Sequence, residues 1–225
     1  MDFDFTVLGY DLSIVVEKFP IFLPAALETL KITTAAIGVG LIIGLIAAFG
    51  RLTKIKAVNY MFTFYVTIIR GTPILLQLFI VYYGMARIIL LDPFTSAAIA
   101  FGLHNGAYFA EIFRGAIISI DRGQTEAARS LGMTKFQAMR RVILPQAFKR
   151  AVPPLGNQFI IATKDSSLAS TIAVRELLLK SQQLGSSTFR TMEYLIIAGI
   201  YYLIMTTIMS LFVHKLERRL AVSDR

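Results

Sequence analysis

Residues 126–145, EAARSLGMTKFQAMRRVILP, form a basic, water-compatible stretch between segments that are apolar enough to cross a membrane. In the whole chain 56% of the residues are hydrophobic and 16% are charged, whereas about 25% of the residues of soluble domains are charged. The mean hydropathy is +0.65. The composition predicts an all-α integral membrane protein, in which 126–145 connects two spans.

The predicted spans are runs of about 20 apolar residues, because a helix rising 1.5 Å per residue then crosses about 30 Å of hydrocarbon. One run is weak, since residues 151–163 offer only 13 uncharged residues, two of them adjacent prolines. We expect that span to be short, broken or partly shielded by protein. The five predicted spans are residues 32–50, 57–86, 93–120, 147–163 and 194–213.

The basic residues predict the orientation, because Lys and Arg near span ends collect on the cytoplasmic side. Three lie in 51–56, eight in 114–150 and four in 215–225, which is 15 of the 23. The N-terminus is expected outside and the C-terminus inside, and the net charge of +9 then gives no support for a nucleic-acid partner. The predicted parts are an external segment (1–20), a transmembrane domain (21–220) containing an elbow at about 121–145, and a cytoplasmic tail (221–225).

The sequence contains no signature of a metal site or of a nucleotide-binding site. The chain has no cysteine, and its two histidines, His104 and His214, are far apart. No G-x-x-x-x-G-K-[ST] motif for binding ATP occurs. A G-x-x-x-G pair, Gly40 and Gly44, permits close helix packing but does not establish a dimer face. We therefore expect no metal and no cofactor in this chain.

Local signals divide the elbow into two helices. Asp121 with Gln124 resembles a capping box, and good helix formers follow until Gly132, a natural C′ residue. Thr134 with Gln137 repeats the pattern and starts a second helix, which Pro145 is expected to bend. Three interpretations remain open at this point: a DNA-reading helix-turn-helix, an amphipathic loop lying on the membrane, and a docking element for a cytoplasmic partner.

A family resemblance favours the third interpretation, the docking element. The pattern E-A-A, three residues, G, nine residues, I-x-L-P resembles the coupling-loop motif of the membrane subunits of ATP-binding-cassette importers, with Val142 in place of Ile. Further stretches are similar to the polar amino-acid permeases of this family: RGTPILLQLFIVYYG at 70–84, GAYFAEIFRGAI at 106–117, VPPLGNQFI at 152–160, KDSSLAS at 164–170 and KLERRL at 215–220. The resemblance covers residues 20–221.

The resemblance implies a type I importer permease fold with about five transmembrane helices and a cytoplasmic coupling helix, in a bacterial plasma (inner) membrane. It implies a second permease copy or a similar subunit, two ATPase subunits that hold ATP and Mg, and an external substrate-binding protein. An amino acid would pass through the spans. The residues that would couple them to the ATPase are Glu126, Ala127, Ala128, Gly132 and Pro145.

Polar side chains at membrane depth are candidates for the substrate path, because each is costly there without a cavity or a partner. The candidates are Arg70, Gln77, Asn105, Glu111, Asn157, Gln158 and Asp165. Arg70 and Glu111 would bind the carboxylate and the amino group of a zwitterion, or would form a structural ion pair. Asp165 would pair with Lys164 at the interface, and Asn157 and Gln158 would reach a ligand or join helices. His104 is expected to be structural, and Gly71 and Pro73 to break the helix after Arg70.

Two other classes of function remain as alternatives. An ATP-independent channel subunit would use similar spans, and a membrane enzyme would need a cluster of acid, base, nucleophile or metal ligands. No such cluster is visible in the sequence, so the chain is not expected to be an enzyme.

Overall fold

The structure, a computed structural model, describes residues 6–7 and 10–222. Strands β1 (Thr6–Val7) and β2 (Tyr10–Asp11) pair antiparallel, and nearly all of the remaining described chain is helical. The helices are α1 (Ser13–Lys18), α2 (Leu23–Leu52), α3 (Lys56–Gly71), α4 (Ile74–Met85), α5 (Pro93–Ile118), α6 (Arg122–Ser130), α7 (Lys135–Ala138), α8 (Leu144–Asp165), α9 (Leu177–Thr188) and α10 (Thr191–Val222). Short 3-10 helices occupy Phe19–Phe22 and Ser166–Ile172, and a π turn occupies Met139–Ile143.

Apolar length alone identifies two or three spans within the described residues. Ser13–Leu52 and Thr191–Leu220 can each cross a membrane, and α3 with α4 adds a third if this bent pair is one span. The other two predicted spans, α5 and α8, are helices of 26 and 22 residues that carry more polar side chains.

The first span is longer than predicted. Helix α2 begins at Leu23, with Pro24 in its first turn, rather than at residue 32. Lys31 does not end the helix, because its Nζ lies 3.1 Å from the Glu28 carboxylate one turn earlier. Opposite charges three residues apart on one helix face stabilise the helix that contains them.

Helices α2 and α5 pack backbone to backbone through glycines. A Cβ atom built at Gly40 would lie 3.2 Å from the Gly102 carbonyl oxygen, and one at Gly44 would lie 3.1 Å from that of Gly106. The G-x-x-x-G pair of α2 therefore serves close packing within one chain.

The predicted break after Arg70 is confirmed. Helix α3 ends at Gly71, α4 begins at Ile74, and their axes differ by 109°. The buried Gln77 Nε2 donates hydrogen bonds to the carbonyl oxygens of Ile69 (2.7 Å) and Thr72 (3.1 Å). The side-chain amide thus satisfies carbonyl groups that the broken helix leaves without a backbone partner.

Helix α8 agrees with the third possibility predicted for the fourth span, shielding by protein, and is neither short nor broken. It is continuous over 22 residues although Pro153 and Pro154 lie inside it. Packing explains its persistence, since Ala147, Ala151 and Ala162 are buried against the rest of the bundle. Tertiary contacts here outweigh the hydrogen bonds that the prolines remove.

A buried carboxyl side chain orders the segment between α8 and α10. Glu176, with no exposed surface, accepts hydrogen bonds from the backbone N–H groups of Leu178 (2.9 Å) and Leu179 (2.7 Å). Its other contact is the Tyr202 hydroxyl, which donates to Oε2 at 2.7 Å. Glu176 therefore caps α9 and fastens it to α10.

Candidate functional site

The first helix of the elbow, α6, begins after Asp121 as predicted, but its cap differs. Asp121 Oδ1 accepts from the Gly123 N–H at 2.7 Å. The Gln124 side chain does not return to the cap; its Oε1 accepts from Gln146 Nε2 at 3.3 Å. The capping-box interpretation of Asp121 and Gln124 is therefore wrong, and Gln124 instead links α6 to α8.

Gly132 ends α6 in the predicted C′ position. Its φ is +82°, in the left-handed region that favours glycine. The Met133 N–H donates to the Ala128 carbonyl at 3.2 Å and the Gly132 N–H to that of Arg129 at 3.0 Å, the bond pair of a Schellman motif. A Cβ atom at Gly132 would meet nothing within 4 Å, so this turn faces open space in the isolated chain.

The second capping box is confirmed, and the bend expected at Pro145 stays a prediction. Thr134 Oγ1 accepts from the Gln137 N–H at 3.2 Å, and the Thr134 N–H donates to Gln137 Oε1 at 2.8 Å. Pro145 follows the π turn Met139–Ile143, and the backbone stays helical through Ile143 and Leu144 into α8. A proline inside a helix removes a backbone hydrogen bond, and Pro145 does so where the hydrogen-bond pattern changes from π to α.

The outer surface of the elbow is exposed and partly apolar. Glu126 and Ala127 are exposed, whereas Ala128 is buried on the inner side of α6. Leu131 is 81% exposed and Phe136 is 73% exposed, so the elbow presents two large apolar side chains among its basic ones. Sequence reasoning missed Leu131 and Phe136, although both flank the Gly132 turn.

The structure brings Arg70 and Glu111 together in a larger cluster of charged residues. Glu111 Oε1 lies 2.5 Å from Arg51 Nη1 and 3.5 Å from Arg70 Nη1. Its Oε2 lies 2.9 Å from Arg114 Nη2. The Arg70 guanidinium also lies over the Tyr108 ring, 5.2 Å from the centroid. One carboxylate thus meets three guanidinium groups, and the cluster has a positive excess.

Arg51 and Arg114 complete this cluster, and sequence reasoning missed their roles. The basic-residue pattern placed them at span ends as markers of the inside. The signal that could have found Arg114 is its spacing from Glu111, since residues three apart share one helix face. No local pattern connects Arg51 to a carboxylate 60 residues later.

Three of the four uncharged polar candidates, Gln77, Asn105 and Gln158, link helices inside the bundle. Gln77 Oε1 lies 3.1 Å from His104 Nδ1, and Gln158 Nε2 donates to Asn105 Oδ1 at 3.0 Å. All four side chains are buried. Among the described side chains, Asn157, which is exposed, and Asp165, which is half-buried at the end of α8, join neither link.

Metal ligation has no candidate in the part of the chain that the structure describes. No three His, Cys, Asp or Glu side chains of residues 10–220 are placed to hold one ion.

Comparison with known sequences identifies the family. Residues 40–222 match the family described as the binding-protein-dependent transport system inner membrane component. The chain is 43% identical over 218 residues to the L-cystine transport system permease protein TcyB of Bacillus subtilis (strain 168), covering 96% of this chain and 92% of that protein. It is 38% identical to the glutamine transport system permease protein GlnP of Escherichia coli (strain K12), covering 96% of this chain and 100% of that protein.

Solved structures agree on the fold. A crystal structure of an amino acid ABC transporter with histidines contains a chain that superposes with a TM-score of 0.89 and 39% identity, covering 95% of this chain and 99% of that one. An inward-facing MetNI methionine ABC transporter superposes with a TM-score of 0.77 at 18% identity, covering 91% of this chain and 98% of that one, which shows the fold alone. The fold is therefore that of a type I importer permease, and a role in transport rather than in catalysis follows from the family. The chain belongs to the family of inner membrane components of binding-protein-dependent transport systems.

Proposed function

We propose that this chain is the membrane subunit of an ATP-driven importer and forms its path for polar amino acids. The observation that carries the proposal is similarity over nearly the whole chain to permeases for L-cystine and glutamine, at 43% and 38% identity. The 39% identical chain of an amino acid ABC transporter supports it. The ATP-independent channel alternative finds no support among these relatives.

The partners follow from this function. An external binding protein delivers the amino acid, and two permease chains, either copies or similar subunits, enclose the path. Two ATPase subunits bind ATP and Mg, which is consistent with the absence of a P-loop motif from this sequence.

The elbow couples these ATPase subunits to the spans. In our proposal Glu126, Ala127 and the Gly132 turn contact the ATPase, with the exposed Leu131 and Phe136 as apolar anchors. Ala128 packs inward and holds α6 against the bundle. Pro145 starts α8, the helix that carries the movement into the membrane. Arg150 Nη1, which donates to the Ser119 carbonyl oxygen, ties the two ends of the elbow together.

The assembled importer provides the test of both function and coupling. In proteoliposomes with its binding protein and ATPase, the wild type should accumulate radiolabelled polar amino acids only when ATP is supplied. Gly132→Leu should keep ATP hydrolysis but lose accumulation, because a bulky side chain would occupy the space where the partner approaches. Gly132→Ala is the backbone control, since Ala at a positive φ is strained as Leu is but adds only one carbon atom.

The outcomes separate two failures. Accumulation without ATP, or none for any amino acid by a correctly assembled wild type, would exclude the proposed function. Undiminished accumulation by Gly132→Leu would exclude only the coupling role of the turn. An equal defect in Gly132→Leu and Gly132→Ala would point to backbone strain rather than to contact.

Within the substrate path, we assign carboxylate binding to Arg70. Its side chain is 45% exposed, more than those of Arg51 and Arg114, and it lies farther from Glu111 than they do. The positive excess of the cluster favours an incoming carboxylate. Both Glu111 oxygens accept from arginines, so a positioning role fits Glu111 better than contact with a substrate amino group.

The other candidates for the substrate path are of two kinds, buried side chains and side chains that are at least partly exposed. Gln77, Asn105 and Gln158 satisfy one another or nearby groups, which supports a structural role. Asn157 and Asp165 stay as predicted path residues. The orientation, N-terminus outside and C-terminus inside, is also part of the proposal and rests on the distribution of basic residues.

A further inference from the structure

An apolar groove of about 750 Å³ lies between α2, α5, α8 and α10. Each of these helices contributes large side chains, among them Leu41, Phe113, Phe159 and Phe212, and every lining residue in the described part of the chain is apolar. A smaller cavity of about 270 Å³ shares Leu45, Phe113 and Phe148 with the groove and extends it to Leu144. A dry cavity of this size in a membrane protein suits hydrocarbon rather than a polar substrate.

One end of the groove lies beside the elbow. A Cβ atom at Gly156 would lie 2.5 Å from Val213 Cγ2, and Thr163 Oγ1 lies 3.4 Å from Met209 Sδ. Later residues of α8 thus meet earlier residues of α10, so the two helices are antiparallel. The end of α10 therefore lies next to the start of α8, where Leu144 follows the elbow.

Cations border the groove along the edge of α10 that Ile208 marks. Lys215 and Arg219 follow Ile208 by seven and eleven residues, spacings that keep all three on one side of a helix. Together with Arg218, these two cations line a second, open pocket. Both are exposed. A positively charged rim beside an apolar groove is complementary to a lipid with an anionic head group.

The length of the groove matches one leaflet. From Phe148 to Phe159 it follows α8 for eleven residues, which corresponds to about 17 Å at 1.5 Å per residue. The hydrocarbon core of a bilayer is about 30 Å thick, so one leaflet contributes about 15 Å. An acyl chain that enters at the rim therefore reaches the other end of the groove near the middle of the membrane.

We propose that this groove is a specific site for an anionic phospholipid, with its acyl chains between α2, α5, α8 and α10 and its head group at Lys215 and Arg219. The proposal requires only that the chain lies in a membrane, and it is independent of the transported substrate. The head group would lie next to the elbow, where the lipid would stabilise the start of α8.

Lipid retention tests this site in the assembled transporter. Native mass spectrometry of the detergent-solubilised complex should show phosphatidylglycerol retained in preference to phosphatidylcholine. Arg219→Gln should weaken that preference about fivefold, since one basic residue near the surface contributes about 1 kcal/mol toward anionic lipid. Arg87→Gln, the same charge change at an exposed arginine between α4 and α5, should leave it nearly unchanged.

Filling the groove gives a second, independent measurement. Val152→Trp places an indole in the groove and should abolish retention of either lipid. Ile161→Trp, the same kind of change on α8 outside the groove, should not. Equal retention of the two phospholipids, or the same effect from both tryptophan variants, would mean ordinary boundary lipid and would overturn the proposal.

A second copy of the chain is the other possible occupant. Because the sequence contains no cysteine, a single Phe212→Cys substitution reports contacts of the groove alone. Disulfide cross-linking of two permease chains through this position would identify the groove as a pairing face and overturn the lipid site. The proposal expects labelling of this cysteine by a lipid-soluble maleimide without cross-linking.

Discussion

Glu176 is a carboxyl side chain that the sequence presents as part of an ordinary charged segment, RELLLK. In the structure it is fully buried and receives the N–H groups of Leu178 and Leu179 and the hydroxyl of Tyr202. Nothing local to 175–180 predicts this, because Tyr202 lies on a helix 26 residues later. The acceptor bonds offset part of the cost of burying a carboxyl group.

This residue should make stability depend on pH. Burial raises the pKa of the Glu176 carboxyl above its ordinary 4.5, so the folded state holds the proton more tightly than the unfolded state. The stability that this provides is fully present below pH 4.5 and is lost as pH rises through the raised pKa. Thermal unfolding in detergent should therefore show the wild type losing stability relative to Glu176→Gln as pH rises from 4 to 8. Parallel curves would contradict this.

Arg70 is the second residue whose environment makes a sharp prediction. Arg70→Gln should raise the substrate concentration needed for half-maximal uptake by at least about tenfold, because a charge-assisted hydrogen bond contributes about 1.5–3 kcal/mol. Concentration-dependent uptake in proteoliposomes measures this. Arg87→Gln, an exposed arginine between α4 and α5, is the matched control. Unchanged concentration dependence in Arg70→Gln would remove Arg70 from the path.

At the scale of helices and turns, the sequence predicts those features that residues close together in the chain determine. The break at Gly71–Pro73, the positive φ of Gly132 and the Thr134–Gln137 cap all follow from the residues that form them. The early start of α2 and the continuity of α8 through two prolines do not, because contacts with distant residues decide them. The same limit applies to Gln124, whose partner lies 22 residues away.

The glycine packing of α2 against α5 is a prediction about two helices. Gly44→Ala should lower stability by about 1–3 kcal/mol, the usual effect of overpacking, because its Cβ would lie 2.5 Å from the Cβ of Phe109. Gly38→Ala on the same helix meets nothing within 4 Å and should be neutral or slightly stabilising. Thermal unfolding of both variants in detergent decides between them. Equal losses would show that packing against α5 is not the cause.

At the scale of the whole molecule, the sequence predicts a membrane protein with a coupling motif, but it predicts few of the contacts between helices. The ion pair of Arg70 and Glu111, one of the two interpretations that the sequence leaves open, is present, whereas the charge pattern identifies Arg51, which completes the same cluster, only as a marker of orientation. Gln158 and Asn105 were separate candidates until the structure joined them. Charge and hydropathy describe how the chain meets lipid and water, whereas side-chain partners depend on how the helices pack.

The orientation of the molecule is directly testable, because the chain has no cysteine of its own. Ser13→Cys and Lys135→Cys each introduce one exposed thiol, at the N-terminal end of the first span and in the elbow. A membrane-impermeant maleimide should label Ser13→Cys in intact spheroplasts and Lys135→Cys only in inverted vesicles. The reverse pattern would place the elbow outside and contradict both the orientation and the proposed ATPase contact.

The π turn at Met139–Ile143 lies in the segment that sets the angle between the Gly132 turn and α8. A helix advances by about 100° per residue, so one residue added or removed between Gly132 and Pro145 would change the azimuth of α8 relative to the turn by that angle. Either Gln158 would lose Asn105 or the turn would point away from its partner. The spacing between Gly132 and Pro145 thus sets a phase relationship between two surfaces, one in the membrane and one outside it.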